Sequence, residues 1–250
     1  MLTFPPLSPL RPPPPTLASD HSMLLDFDGT LVDIFDRPDA VLIDPALPVL
    51  LRRLAETFHG RLALVSGRSV AQLDEFLGGA LDNVAIVGSH GAEVRAGLRL
   101  TSPTRPHALT SAESEIRRAF ANMAGVVVEV KSLGVAVHFR LDPEVEPAVR
   151  ALTNRIAAES GLAVQEGKMM IELRAGGHDK GSGIVTLMAE PPFAGTVPVF
   201  AGDDLTDEPG FVTVAKLNGI GVLVGAERPT AARYRLPDVA SVRAWLEQAA

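Results

Sequence analysis

Short apolar runs alternate with amphipathic stretches at both ends of this chain, and that alternation restricts the fold more than any other feature. "SMLLDF" at 22–27 precedes a helical pattern from Pro45 to Phe58. "RLALVSG" at 61–67 precedes another from Val70 to Leu77, and "NVAIVGS" follows at 83–89. The series resumes with "TVPVFAGDD" at 196–204, a helix over Thr206 to Lys216, "GIGVLVG" at 219–225 and a last helix near Val239 to Gln248. Such alternation is the mark of a parallel sheet with helices on its faces. The expected core is therefore α/β, built on a Rossmann-like parallel sheet.

The middle of the chain follows a different rhythm. A helix is expected over Thr110 to Asn122, then "VVVEVK" and "GVAVHFRL" joined by a tight turn at Ser132 to Gly134. A helix near Pro143 to Ser160 and the strands "LAVQEG" and "MMIELR" complete the segment. Helix, hairpin, helix, hairpin implies a small antiparallel sheet backed by helices and inserted into the larger domain. The expected boundaries are a core of 22–104 and 176–250, with an inserted α+β cap over 105–175. Residues 1–21 are expected to form a flexible leader, because their proline clusters oppose helix formation and they lack the basic start and apolar run of a signal peptide.

Composition excludes several classes. The chain has 250 residues, 46% of them hydrophobic, enough for a sizeable core. A formal charge of −7 disfavours nonspecific nucleic-acid binding. With no cysteine there is no disulfide framework, thiolate nucleophile or cysteine-bound zinc. No apolar run reaches the roughly 18 residues of a membrane span, so no membrane partner and a cytoplasmic location are expected.

The chemistry concentrates in "MLLDFDGTLVD", residues 23–33. Residues i and i+2 of an extended chain point to one side, so Asp26 and Asp28 converge and repel unless a cation or a shared proton intervenes. That pair asks for a metal. In open α/β sheets ligands sit at the carboxyl ends of the strands. Four features fall there in order: "DFDGT" at 26–30, "VSGR" at 65–68, "HDKG" at 178–181 and "AGDDLTD" at 201–207.

In that order the four features resemble the haloacid dehalogenase (HAD) superfamily of phosphohydrolases. The resemblance implies that Asp26 attacks phosphorus to form an aspartyl phosphate, and that Asp28 protonates the leaving alkoxide and later takes a proton from water. It also implies Mg²⁺ on Asp26, Asp203 and the Asp28 backbone carbonyl, with Asp204 and Asp207 behind them. Oxygen ligands of this kind suit Mg²⁺. Ser66, Gly67 and the amides near Asp28 and Gly29 would hold the phosphoryl oxygens, and Lys180 would supply positive charge.

Three further stretches are similar to the trehalose-6-phosphate phosphatase branch of that superfamily: "VGSHGAE" at 87–93, "VEVKSLGVAVHFR" at 128–140 and "GKMMIELRAGGHDKG" at 167–181. With the core motifs the resemblance covers nearly everything from Met23 to Gln248. It implies an inserted domain that selects a sugar phosphate through Glu129, Lys131 and Glu172, with Lys168, Arg140 and His138 ordering the cleft or steadying the cap against the core, and His90 pointing toward the same crevice as a further substrate-binding residue. A functional link to trehalose-6-phosphate synthase is implied as well, physical association being left open. The alternatives are another sugar-phosphate or phosphoglycerate phosphatase of the superfamily, or a sugar-phosphate sensor without turnover.

Overall fold

A computed structural model describes residues 10–34, 42–167 and 169–250. In chain order the elements open with β1 (His21–Leu25), α1 (Ala46–Thr57), β2 (Leu62–Val65), α2 (Val70–Leu77), β3 (Ala85–Gly88), β4 (Glu93–Ala96) and β5 (Arg99–Thr101). They continue with α3 (His107–Ala119), β6 (Val127–Val130), β7 (Gly134–His138), α4 (Glu146–Ser160), β8 (Ala163–Gly167) and β9 (Met170–Arg174). Last come α5 (Lys180–Met188), β10 (Val197–Gly202), α6 (Glu208–Lys216), β11 (Ile220–Val224), β12 (Tyr234–Leu236) and α7 (Val239–Ala249). Contacts divide the chain into two compact units, Met1–Ser102 with Asp179–Ala250, and Pro103–His178. No helix among the described residues is long and apolar enough to cross a membrane.

The larger unit is built on an eight-stranded sheet in the order β12-β11-β10-β1-β2-β3-β4-β5. All pairs from β12 to β3 are parallel, and β4 and β5 add an antiparallel edge. β1 shows why the apolar run is unbroken. Met23 and Leu25 pack with Leu47, Leu51 and Leu54 of α1 and Trp245 of α7. Leu24, pointing the other way, packs in a second cluster with Ile184 of α5 and Phe211 of α6. A strand covered on both faces needs apolar residues at every position. Strand order reverses direction at β1, with β2 on one side and β10 on the other, so their carboxyl ends open the crevice where such sheets bind ligands.

The smaller unit has an antiparallel sheet in the order β6-β7-β9-β8. Val135, Val137, Ile171 and Leu173 pack with Leu109, Ile116 and Phe120 of the first helical segment and with Val149 and Ile156 of α4. Alternation then places Ala136, paired with Glu129 on one neighbour and Glu172 on the other, on the face away from the helices.

Several expectations needed adjustment. α3 begins and ends three residues earlier than its pattern suggested, starting directly after Pro106. α4 and α6 start late because a 3-10 turn precedes each, with proline in the first helical turn where no amide donor is required. The described part of the leader begins at residue 10. It is packed against the larger unit, where Arg11 bridges Tyr234 and accepts from the Arg235 amide, and Trp245 Nε1 donates to the Pro14 carbonyl across 2.8 Å. Residues 1–9 lie outside the described residues.

Candidate active site

Asp26 is the first residue beyond β1 and is buried. Its amide donates to the Ala201 carbonyl of β10, which fixes the backbone at the centre of the sheet. Lys180 opens α5, whose N-cap Asp179 accepts from the Ser182 amide in a capping box. That cap aims the lysine into the carboxyl-end crevice. Its Nζ lies 2.7 Å from Asp26 Oδ1 and 2.6 Å from Asp207 Oδ1. Asp207 is fully buried, and its second oxygen accepts from the Asp204 amide.

Carboxylate oxygens of Asp26, Asp203 and Asp207 lie within 4.8 Å of one another. Three acids and one lysine leave negative charge in excess. Burial pushes the Asp26 carboxyl well above its ordinary range, with Lys180 opposing and Asp207 and Asp203 reinforcing the shift. Burial, then Asp207, raise Asp203 to about 6. Burial opposes the charge of Lys180, but Asp207 and Asp26 override it and hold the ammonium protonated. Asp203 Oδ1 is buried with no hydrogen-bond partner. Gly29, at φ +82°, lies so close that a Cβ there would meet Asp203 Oδ2 at 2.2 Å. An orphaned buried oxygen among crowded carboxylates fits a hard divalent cation such as Mg²⁺.

Ser66 follows β2 and is buried, with its Oγ accepting from the Arg68 amide, which leaves the hydroxyl hydrogen available to a ligand. The next turn is strained. Ser89, His90 and Gly91 have φ of 48°, 53° and 98°, and non-glycine residues rarely adopt that region. The turn is tied down by the Ser89 amide on the Arg68 carbonyl and the His90 amide on the Ser66 carbonyl. The His90 ring lies against Gly67, where a Cβ would meet it at 2.5 Å. Glu93 is buried and accepts from the Val70 amide, capping α2.

The expected core residues Asp26, Asp203 and Lys180 thus meet at one point, with Asp207 inside the cluster rather than behind it. Asp204 accepts from the Thr206 hydroxyl at Oδ2 across 3.4 Å and lies close enough to add its charge to Asp203. The Asp28 side chain is paired with Arg68 through both oxygens. In the smaller unit Lys131 Nζ lies 2.6 Å from Glu172 Oε2, and His138 Nε2 lies 2.8 Å from Glu129 Oε2. Arg140 follows β7 and is half-buried. Lys168 lies outside the described residues.

Two groups were missed. Arg68 stood unused in the quoted "VSGR". Arg228 pairs with the buried Glu208 and donates to the Asp204 carbonyl across 2.8 Å, bracing the loop that carries Asp203. Glu208 extends "AGDDLTD" by one residue, but its partner 20 positions on leaves no local signal.

A family model described as trehalose-phosphatase matches residues 24–240. The trehalose-6-phosphate phosphatase of Escherichia coli (strain K12) is 37% identical over 236 residues, which cover 93% of this chain and 88% of that protein. A probable trehalose-phosphate phosphatase of Sinorhizobium fredii is 36% identical over 211 residues, covering 83% and 79%. Among solved structures, a trehalose-6-phosphate phosphatase related protein superposes with a TM-score of 0.76 at 30% identity, covering 90% of this chain and 95% of that one.

Proposed function

The chain belongs to the trehalose-phosphatase family, and from that membership we propose that it hydrolyses trehalose 6-phosphate to trehalose and phosphate through an aspartyl phosphate on Asp26. The observation that carries this reading is the buried Asp26 carboxylate at the crevice, held by Lys180 beside Asp203.

In the first half of the reaction Asp26 attacks phosphorus as the bond to the sugar oxygen breaks, and Asp28 gives that oxygen a proton. In the second half Asp28 takes a proton from water, which attacks the aspartyl phosphate and regenerates Asp26. Charge spreads over three equatorial phosphoryl oxygens as this happens. Lys180, the Ser66 hydroxyl and the amides of Asp28 and Gly67 would face that charge, whereas the Gly29 amide, expected to join them, is already donated to the Val32 carbonyl across 2.7 Å. Asp26, Asp203 and the Asp28 carbonyl would hold a Mg²⁺ ion, which when bound supplies further positive charge to the phosphoryl group. Asp204 and Asp207 would support these ligands, Asp207 by fixing Lys180.

For the sugar we assign Glu129, Lys131 and Glu172, with Arg140, His138, Lys168 and His90 as supporting groups. The paired acids and bases of the smaller sheet support this, since adjacent sugar hydroxyls require matched donors and acceptors. Phosphate release from trehalose 6-phosphate, glucose 6-phosphate and sucrose 6-phosphate tests the reading. A kcat/KM highest for trehalose 6-phosphate is expected, and preference for either of the others overturns the substrate assignment.

A further inference from the structure

Arg68 completes the turn begun by Ser66 and Gly67, and the reaction as proposed leaves it without a role. Its Nε donates to Asp28 Oδ2 and its Nη2 to Asp28 Oδ1, each across 2.7 Å. Such a two-pronged pair fixes the plane of the carboxylate as well as its position. The partners are not equally held. The Arg68 side chain is 11% exposed and the Asp28 side chain 35%. The guanidinium lies 4.9 Å from the centre of the Phe76 ring on α2 and 5.9 Å from that of Phe27. Those rings stack with 7° between their planes. The Arg68 backbone is tied at both ends, by its amide on Ser66 Oγ and its carbonyl on the Ser89 amide. Arg68 is therefore the anchored member, and Asp28 the one free to turn.

Proton donation needs one Asp28 oxygen aimed at the leaving group, yet this pairing engages both. We propose that Arg68 is a positioning residue for Asp28: it retains one carboxyl oxygen while the other turns to deliver the proton to the departing alkoxide. The proposal rests on the aspartyl-phosphate reading. As the Asp26–phosphorus bond forms and the phosphorus–sugar oxygen bond breaks, the proton passes from Asp28 to that oxygen. The carboxylate so produced regains its second hydrogen bond to Arg68, which keeps its own proton throughout. When water attacks the aspartyl phosphate, its proton returns to the same Asp28 oxygen. Arg68 thereby assists most where the leaving oxygen is most basic.

The test is steady-state hydrolysis of aryl phosphates from p-nitrophenyl to phenyl, together with a simple alkyl phosphate, none of which requires a sugar site. Arg68→Ala is expected to lose under about threefold in kcat on p-nitrophenyl phosphate and about 10- to 100-fold on the phenyl and alkyl esters, with KM little changed. Arg68→Lys should recover part of the loss, because one donor remains. Asp28→Asn and the Asp28→Asn/Arg68→Ala double variant should agree within about threefold, since a residue acting through another has nothing left to act on. If thermal melting shows Arg68→Ala unfolded, Arg68→Gln, which keeps length and a donor, is measured instead. A deficit independent of the leaving group, a rise in KM for every ester, or a further large loss in the double variant overturns the proposal. Failure of the wild-type protein on all the esters overturns the phosphatase reading together with it, a result distinguishable because it needs no variant.

Discussion

Lys180 Nζ stands 2.7 Å from Asp26 Oδ1 and shares its remaining charge with Asp207 in the same buried cluster. Asp26→Asn keeps an oxygen acceptor for the lysine but removes the nucleophile. Phosphate release should fall by more than about 10⁴-fold with the circular dichroism spectrum unchanged. Retention of more than about 1% of activity by a folded variant contradicts the assignment.

Removing the lysine is a harsher change. Lys180→Met leaves the Asp26 and Asp207 carboxylates facing one another without a counter-charge. A loss of about 3–5 kcal/mol in urea unfolding of the metal-free protein is expected, as for other broken buried pairs. A midpoint equal to wild type would mean that the pair contributes nothing to the fold.

Asp203 gives the metal-free protein a particular pH dependence. Its folded value, about 6, lies above the unfolded carboxyl value, so the folded state binds the extra proton between them. Stability from this group is present at low pH and is lost as pH rises from about 4 to 6, roughly 1–3 kcal/mol at most. In EDTA the melting temperature should therefore rise on acidification from pH 7 to pH 5. Mg²⁺ at pH 7 should raise it too, because binding to the folded state alone stabilises that state. Identical melting curves with EDTA and with millimolar Mg²⁺ at pH 7 would argue against this metal site.

Glu172 is buried against Lys131, so Glu172→Gln is a cleaner probe than alanine because it retains an acceptor for the ammonium. A hydrogen bond to a charged group is worth about 1.5–3 kcal/mol, and kcat/KM on trehalose 6-phosphate should fall roughly ten- to a hundred-fold. p-Nitrophenyl phosphate, with no sugar to hold, should be hydrolysed at nearly the wild-type rate. Equal losses on both would move Glu172 from sugar recognition to support of the smaller sheet.

Gly91→Ala probes the strained turn. A Cβ at this position, where φ is +98°, would lie 1.9 Å from the carbonyl oxygen of Asp179, the residue that caps α5. Relief requires moving either the His90 turn or the helix that carries Lys180. A loss of about 2–4 kcal/mol in denaturant unfolding and a clear drop in kcat are expected. Wild-type stability and turnover would show that the two loops are looser than this contact implies.

The legible parts of the sequence were those with local patterns. α2 spans the residues its periodicity marks, and Asp26, Lys180 and Asp203 meet because the two acids each follow a strand of the sheet and the lysine opens the helix α5. Edge strands escaped. β4, β5 and β12 are only three or four residues long, and β5 is exposed throughout, so no apolar run betrays them. The Arg68–Asp28 and Arg228–Glu208 pairs escaped for another reason: each joins residues 40 or 20 positions apart, and an arginine carries no sign of which acid it will meet.

The docked leader has a bearing on behaviour between molecules. A sheet whose outermost strand shows bare amides and carbonyls offers a template for a strand of a neighbouring molecule. Here the outer side of β12 is spent on Arg11, and the chain continues into Pro12, Pro13, Pro14 and Pro15, none of which has an amide hydrogen to donate. A neighbouring strand that approached along the leader would meet four residues without amide donors, which disfavours edge-to-edge pairing on that side.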